Sequence, residues 1–178
     1  MIRRLGLADL RQVERHFLDL SVHDRLFRFN APLGDPAICA RIASIEWSSA
    51  ILIGYFEGKK LRGLAELAAL RGDRFDTREV ALSVDRTHRR RGIARRLLAE
   101  AALHARSLGC RRLVFWWHPE NVEFARFLTT HGGTVSAHPP AGWLEISPAG
   151  VLKTTVADIS AAPAQRRQVP VSRNRRAA

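Results

Sequence analysis

Cysteine is almost missing from this chain. Its two thiols, Cys39 and Cys110, are too few for a disulfide scaffold and show none of the C-x-x-C or Cys/His spacings of a zinc site. Both are expected as buried, reduced thiols, and no metal is implied. Long apolar runs are also lacking. The most apolar stretch, Ala37 to Phe56, is interrupted by Arg41 and Glu46, which excludes a membrane-spanning segment of about 20 apolar residues. The opening MIRRLGLADLRQVERHF carries charges where a secretory leader needs an apolar centre, so a cytoplasmic protein is expected. Lysine occurs only at Lys59, Lys60 and Lys153, so 26 of the 29 basic residues behind the net charge of +12 are arginines. They are spread over every predicted element instead of forming one patch. That argues against specific nucleic-acid binding, even though basic surfaces attract polyphosphates.

What the chain does have is the composition of an ordinary globular domain. At 178 residues, with 46% hydrophobic and 26% charged residues, one core is the expectation. A short strand at Ile2 to Arg4 leads into a helix from Ala8 to about Leu20, whose Leu10, Val13, Phe17 and Leu20 form one apolar stripe. Two more helical pieces, SVHDRLFRFN and DPAICARIASIEW, flank the breaker cluster Asn30 to Asp35. From Ser49 the pattern changes to three strands in a meander: SSAILIGYF, LRGLAELAAL and TREVALSV. A long amphipathic helix from Gly92 to Leu108 follows, ending at Gly109. Then come a buried strand from Arg112 to Trp117, a helix from Asn121 to His131, and short strands near Gly133 to Ala137 and Trp143 to Ile146.

The informative segment is VALSVDRTHRRRGIARRLLAEAALHARSLG, in which an apolar strand passes through an arginine-rich turn into a helix. Unpaired N–H groups and the positive dipole end at a helix N-terminus form an anion site, and a glycine there lets the backbone approach closely. The turn lacks the lysine and Ser/Thr of a Walker motif and the spacing of a G-x-G-x-x-G fingerprint. Arg89, Gly92 and Ala94 instead fit R-x-x-G-x-A, and at this motif the chain resembles the GNAT superfamily of acyl-CoA-dependent N-acyltransferases. The order of parts agrees: HPEN stands about 12 residues past the helix end, with Asn121 at the position of the family's second cofactor-contacting asparagine. The resemblance covers roughly Arg78 to Gly133. Upstream, LSVHDRLFRF resembles a segment of bacterial protein-lysine acetyltransferase domains.

The resemblance implies an α/β GNAT fold, a mixed central sheet of about six to seven strands flanked by helices, with acetyl-CoA as co-substrate and an amine as acceptor. Main-chain groups of Leu82, Ser83 and Val84 would hold the pantetheine arm. The amides of Arg90, Arg91, Gly92, Ile93 and Ala94 would take the pyrophosphate, with Arg89 bracing the loop and Asn121 reaching the cofactor. Phe124 and Phe127 would either flank the acyl channel or simply pack their helix on the sheet. Glu79 stands where related lysine acetyltransferase domains carry a glutamate. Period two puts it on one face with Ala81 and Ser83, where a carboxylate could deprotonate the acceptor. The alternative for Glu79 is a surface pair with Arg78 or Arg112. His118 is a second candidate base. Two positions depart from the family pattern: Leu128 replaces the tyrosine that protonates the leaving thiolate in many members, and Gly133 replaces the aromatic residue after the helix-terminal glycine.

The sequence thus reads as one N-acetyltransferase domain over residues 1–160 with a basic, disordered tail over 161–178. Protein lysine is the first candidate acceptor. Small-molecule amines and a catalytically weak acyl-CoA-binding regulatory module are the alternatives. The tail's AAPAQRRQVPVSRNRRAA has no apolar periodicity with which to join a core. Deleting residues 163–178 is therefore expected to leave the melting temperature within a few degrees of the full chain and acetyl-CoA affinity unchanged, as read by thermal melts and calorimetry.

Overall fold

A computed structural model describes residues 1–70, 75–146 and 152–153. Positions 71–74 of the predicted RGDRFD loop and the predicted tail lie outside the described residues.

Strand β1 (Ile2–Arg4) enters a 3-10 turn at Leu7–Asp9, and α1 runs over Leu10–Leu18. The single helix expected from Ala8 is thus split. Asp9 explains the split, because its carboxylate accepts the Gly6 amide at 3.1 Å and both Arg3 guanidinium nitrogens at 2.6 and 2.8 Å, tying the turn back to β1. Such local side-chain bonds compete with helix continuation. Helix α2 (Val22–Phe29) is capped by Ser21 Oγ, which accepts the Asp24 amide at 3.1 Å, and it stops at Asn30 in the left-handed region. Helix α3 (Asp35–Ala43) starts with Pro36 in its first turn and ends before Trp47, short of the expected span.

The sheet contains β2 (Ile51–Glu57), β3 (Lys60–Ala69), β4 (Thr77–Val84), β5 (Arg112–Trp116), β6 (Thr134–Ala137), β7 (Pro140–Ile146) and the short β8 (Leu152–Lys153). Its order is β1-β2-β3-β4-β5-β7-β6, with β8 beside β7. Helix α4 (Ile93–Ser107) links β4 to β5, and α5 (Val122–Thr130) links β5 to β6. The last long strand starts at Pro140, not near Trp143 as expected. A proline is harmless as the first residue of a strand, where its missing N–H is not needed by the ladder.

Both faces of the sheet are covered, which is why β2 and β3 are apolar nearly throughout. One face holds Ile53, Ala65, Leu67 and Val80 against Leu97, Leu98, Ala101 and Ala105 of α4. The other holds Leu52, Leu61 and Leu64 against Val13, Phe17, Ile38 and Ile42 of α1 and α3. Burial of each large aliphatic side chain stabilises the fold by about 1.5–3 kcal/mol.

All neighbouring strands are antiparallel except β4 and β5. That parallel pair is joined only through Thr77↔Arg112, Arg78↔Leu113 and Glu79↔Val114. Beyond Glu79 the two strands part, while β4 stays paired to β3 as far as Val84 and β5 to β7 as far as Trp116. The sheet opens there as a V.

On the α1–α3 side, one buried charged group interrupts the apolar layer. Glu66, only 6% exposed, takes Arg28 at 2.5 Å and Arg41 at 2.7 Å, one guanidinium on each carboxylate oxygen. Burial pushes the Glu66 carboxyl up, but Arg28 and Arg41 outweigh it and hold the group below the ordinary glutamate value. Glu66→Ala would leave two arginines facing each other across an apolar layer, with an expected cost of about 3–5 kcal/mol in urea denaturation. Because the folded pKa lies below the unfolded one, the stabilisation is present above the unfolded value of about 4.3 and is lost as pH falls through the folded value. The stability gap between wild type and Glu66→Ala should therefore narrow on acidification through that range.

Candidate active site

The V between β4 and β5 is a cleft of about 620 Å³. Its β4 wall is the run Val80 to Val84, and Trp116 and Trp117 form the wall at the end of β5. Asn121, Phe124 and Phe127 of α5 close one side, and Asp24, Phe27 and Arg28 of α2 another. The first turn of α4 forms the remaining edge through Gly92, Ile93 and Ala94. Gly63 of β3 is what lets that turn sit so close. A Cβ there would meet Ile93 Cγ2 and Leu97 Cδ1 at 3.0 Å and the Ser83 carbonyl at 3.3 Å.

The loop from β4 to α4 is pinned at several points. The Asp85 amide donates to the Arg62 carbonyl at 2.8 Å, and Asp85 Oδ2 accepts from Arg62 Nη1 at 3.0 Å. His88 meets Glu57 at 2.9 Å. Arg89 donates from Nε to the Val84 carbonyl at 3.2 Å and pairs through Nη2 with Asp24 at 2.6 Å, tying the loop to α2. Arg90 (φ 59°) and Gly92 (φ 74°) both take left-handed backbone, which turns the chain sharply into α4. No side chain caps that helix start, so its first amides face the cleft end as donors. Arg89, Arg90, Arg95 and Arg126 add positive charge to the lining. Among the described residues no group of three or more His, Cys, Asp or Glu could hold a metal ion, and no helix is long and apolar enough to cross a membrane.

This arrangement is an uncapped helix start beside an open strand edge, and residues 17–133 match the acetyltransferase (GNAT) family. The chain belongs to the GNAT family. It is thus an acetyl-CoA-dependent N-acetyltransferase. Among solved structures, it is similar to the GNAT domain of S. lividans PAT at 20% identity, covering 81% of this chain and 89% of that one, with a TM-score of 0.68. It also resembles yncA of Salmonella typhimurium, a putative acetyltransferase solved with its cofactor acetyl-CoA, at 18% identity over 83% of this chain and 94% of that one, with a TM-score of 0.65. A third is the PaiA N-acetyltransferase of Thermoplasma acidophilum, solved in complex with coenzyme A, at 17% identity over 80% and 96% of the two chains, with a TM-score of 0.60. At these identities the likeness is one of fold, and the mixed sheet flanked by helices is the GNAT fold expected. No curated protein matches the chain.

Most positions singled out for the GNAT site in the sequence come together. Leu82, Ser83 and Val84 line the cleft, as do Arg89, Arg90, Gly92, Ile93 and Ala94 of the loop and helix start. Asn121 lines it too, while serving as N-cap of α5: its Oδ1 accepts the Phe124 amide at 3.2 Å. Phe124 and Phe127 pack against the α4-side core and also line the cleft. Arg91, Glu79 and His118 are not among the lining residues. Glu79 holds the last β4 position paired to β5, at the apex of the V. His118 stacks on Phe27 with ring centroids 6.0 Å apart. Leu128 is fully buried, and Tyr55 pairs with Gly63 and Ile2 in the meander.

Sequence reasoning missed the α2 wall, the tryptophan pair and His131. The signal for α2 was in the amphipathic SVHDRLFRF, whose Asp24, Phe27 and Arg28 fall on one helix stripe. That this stripe meets β4, and not solvent, is a matter of tertiary packing.

The residues present suit a pyrophosphate: an uncapped helix start, a left-handed glycine and several arginines converge at one end of the cleft. A Cβ on Gly92 would meet nothing within 4 Å, so a side chain there would project into open space beside the helix start. Gly92→Asp is therefore expected to weaken acetyl-CoA binding by at least about 2 kcal/mol, through an unpaired negative charge at the anion site, while the protein stays folded. Calorimetry with circular dichroism as the folding control checks this.

Proposed function

We propose that the cleft holds acetyl-CoA along the open edge of β4 and transfers its acetyl group to a primary amine, with a protein lysine as the first acceptor. The observation that carries this reading is the parting of β4 and β5 directly onto the start of α4. Past Glu79, no described strand pairs with the β5-side edge of β4, so the main-chain groups of Leu82 and Val84, which alternate with those of Ser83 turned towards β3, can pair with an extended pantetheine arm as they would with a strand. The amides of Arg90 to Ala94, Arg91 and Ile93 included, then take the pyrophosphate, and Asn121 contacts the arm from the far side. Acetyl-CoA supplies a thioester carbonyl open to attack by an amine.

An alkyl ammonium with a pKa of about 10.4 is almost wholly protonated at neutral pH and must lose a proton before it can attack. Glu79 takes it in this reading. It stands at the apex, on the face of β4 that meets the α1–α3 layer, close enough to Arg28 of α2 to interact electrostatically. Arg28 itself lines the cleft. Support for a protein lysine comes from α2, the segment that resembles protein-lysine acetyltransferase domains and that lines the cleft. A cytoplasmic location goes with this reading. Leu128 in the tyrosine position favours a second reading, a catalytically weak acyl-CoA-binding module. A screen of peptide lysines and small amines, following thiol release from acetyl-CoA, separates the two: the module binds donor without releasing thiol.

Glu79→Gln should keep the fold and acetyl-CoA affinity while lowering kcat by roughly 10² to 10⁴, the usual contribution of positioned proton transfer. Its rate should recover in part as pH rises, because more of the acceptor then arrives as free amine. A wild-type kcat and pH profile in this variant would remove Glu79 as the base.

A further inference from the structure

Beneath the cleft, α1 presents a polar side chain to the sheet in the middle of its apolar stripe. His16 lies beside Val13 and Phe17, and its side chain has no solvent exposure. Burying an imidazole there costs free energy unless its nitrogens are used. His16 Nε2 is 2.8 Å from Ser83 Oγ, and Nδ1 lies 3.2 Å from Asp85 Oδ1, close enough to attract though not aligned as a hydrogen bond. Asp85 is anchored in turn by Arg62 at 3.0 Å. Burial pushes the Asp85 carboxyl up, but His16 and Arg62 outweigh it and hold the group below the ordinary aspartate value. An ionised carboxylate only accepts, so it favours the tautomer with the proton on Nδ1. That leaves Nε2 to accept from the serine hydroxyl. Serine, histidine and aspartate thus stand in the order that activates a hydroxyl, with a hydrogen bond from Ser83 to His16 and a charge contact from His16 to Asp85, and this serine lines the cleft.

The position that carries a tyrosine acid in many relatives is Leu128, which has no proton to give, and Tyr55 is not among the lining residues. An ammonium acceptor has two protons to lose, one before attack and one after. We propose that Ser83, backed by His16 and Asp85, carries the second proton from the attacking nitrogen to the leaving sulfur. The nitrogen lone pair forms the C–N bond, and the C–S bond breaks with its electron pair on sulfur. The N–H proton passes to Ser83 Oγ as the serine proton moves to His16 Nε2, where Asp85 stabilises the imidazolium. The same path reversed delivers that proton to sulfur, giving an amide, a free thiol and the original His16–Ser83 pair. Ser83 is the group that touches the reacting atoms, and His16 and Asp85 position it.

The inference rests on the reading of the cleft as the acetyl-transfer site. Its test uses Ser83→Ala, with Ser83→Thr as the conservative variant that keeps a hydroxyl. Besides turnover, the readout is the ultraviolet absorbance of the thiolate of bound CoA across pH, which a purely structural serine would not move. Ser83→Ala should keep acetyl-CoA affinity, lower kcat by about 10²-fold, and raise the pH at which the bound thiol titrates, because the thiolate loses the hydroxyl that donates to it once His16 Nε2 carries the proton. Ser83→Thr should restore most of both. A folded Ser83→Ala with unchanged kcat and thiol titration would overturn the proposal, as would a loss confined to acetyl-CoA affinity. Mass spectrometry showing an acetyl group on Ser83 in a single turnover would also overturn it, in favour of covalent transfer. If the wild type itself bound no acetyl-CoA, both this inference and the reading of the cleft would fall, which the affinity measurement makes distinguishable.

Discussion

Parallel strands β4 and β5 share three register pairs and then separate, and the rest of the site depends on that short pairing. A longer ladder would close the sheet and leave nowhere for a ligand to lie. With none, β5 would not be anchored beside β4. The pairing can stay short because each strand is held from its other side: β4 by β3 from Arg78 to Val84 and β5 by β7 through Trp116. The two halves of the sheet are each complete enough to stand without their shared edge. Backbone donors and acceptors left along the parted edge must find another partner, water or ligand, which is how an interruption in a sheet becomes a binding surface.

Charge pairs hold the surrounding layers in register with that opening. Arg89 joins the loop to Asp24 of α2, and Arg28, four residues further along α2, joins it to Glu66 of β3. Helix α2 is therefore fixed both to the loop between β4 and α4 and to the sheet. Arg28 also lies over the rings of Phe17 and Phe29, with centroid distances near 5 Å, so its stem and face are packed as well as its charge neutralised. Such pairs contribute less net stability than an apolar replacement could. What they add here is geometry, because a carboxylate that holds Arg28 of α2 on one oxygen and Arg41 of α3 on the other allows little sliding of α2 past the sheet.

The His16–Ser83–Asp85 chain shows the same economy on the far side of β4. A buried polar group in an apolar stripe is tolerated only where its hydrogen-bonding capacity is met. Ser83 meets it at Nε2 and Asp85 attracts the Nδ1 end without an aligned hydrogen bond, and this places the serine hydroxyl between the α1 layer and the cleft. One strand thus offers main-chain groups along its parted edge and a backed hydroxyl on its α1 face, a consequence of the period-two alternation that separates Ser83 from Leu82 and Val84.

The residues alone determined a good deal: the element order, the amphipathic α4 and the glycine turn at its start follow from local periodicity and turn chemistry, whereas Leu82 to Val84 and Asn121 are singled out by the family resemblance. Periodicity and turn chemistry are properties of contiguous segments, so they are legible without tertiary contacts. Strand and helix ends drifted where a side chain overrode propensity, as at Asp9, or where a proline sat harmlessly at a strand start, as at Pro140. Only the tertiary structure decided that β4 and β5 part after Glu79, that α2 forms a cleft wall, and that Glu79 stands at the apex of the V while Ser83 lines the cleft. It also decided that His16 reaches a serine distant in sequence. Those facts depend on which faces of separate elements meet, and the pattern within each element is the same whether or not they do.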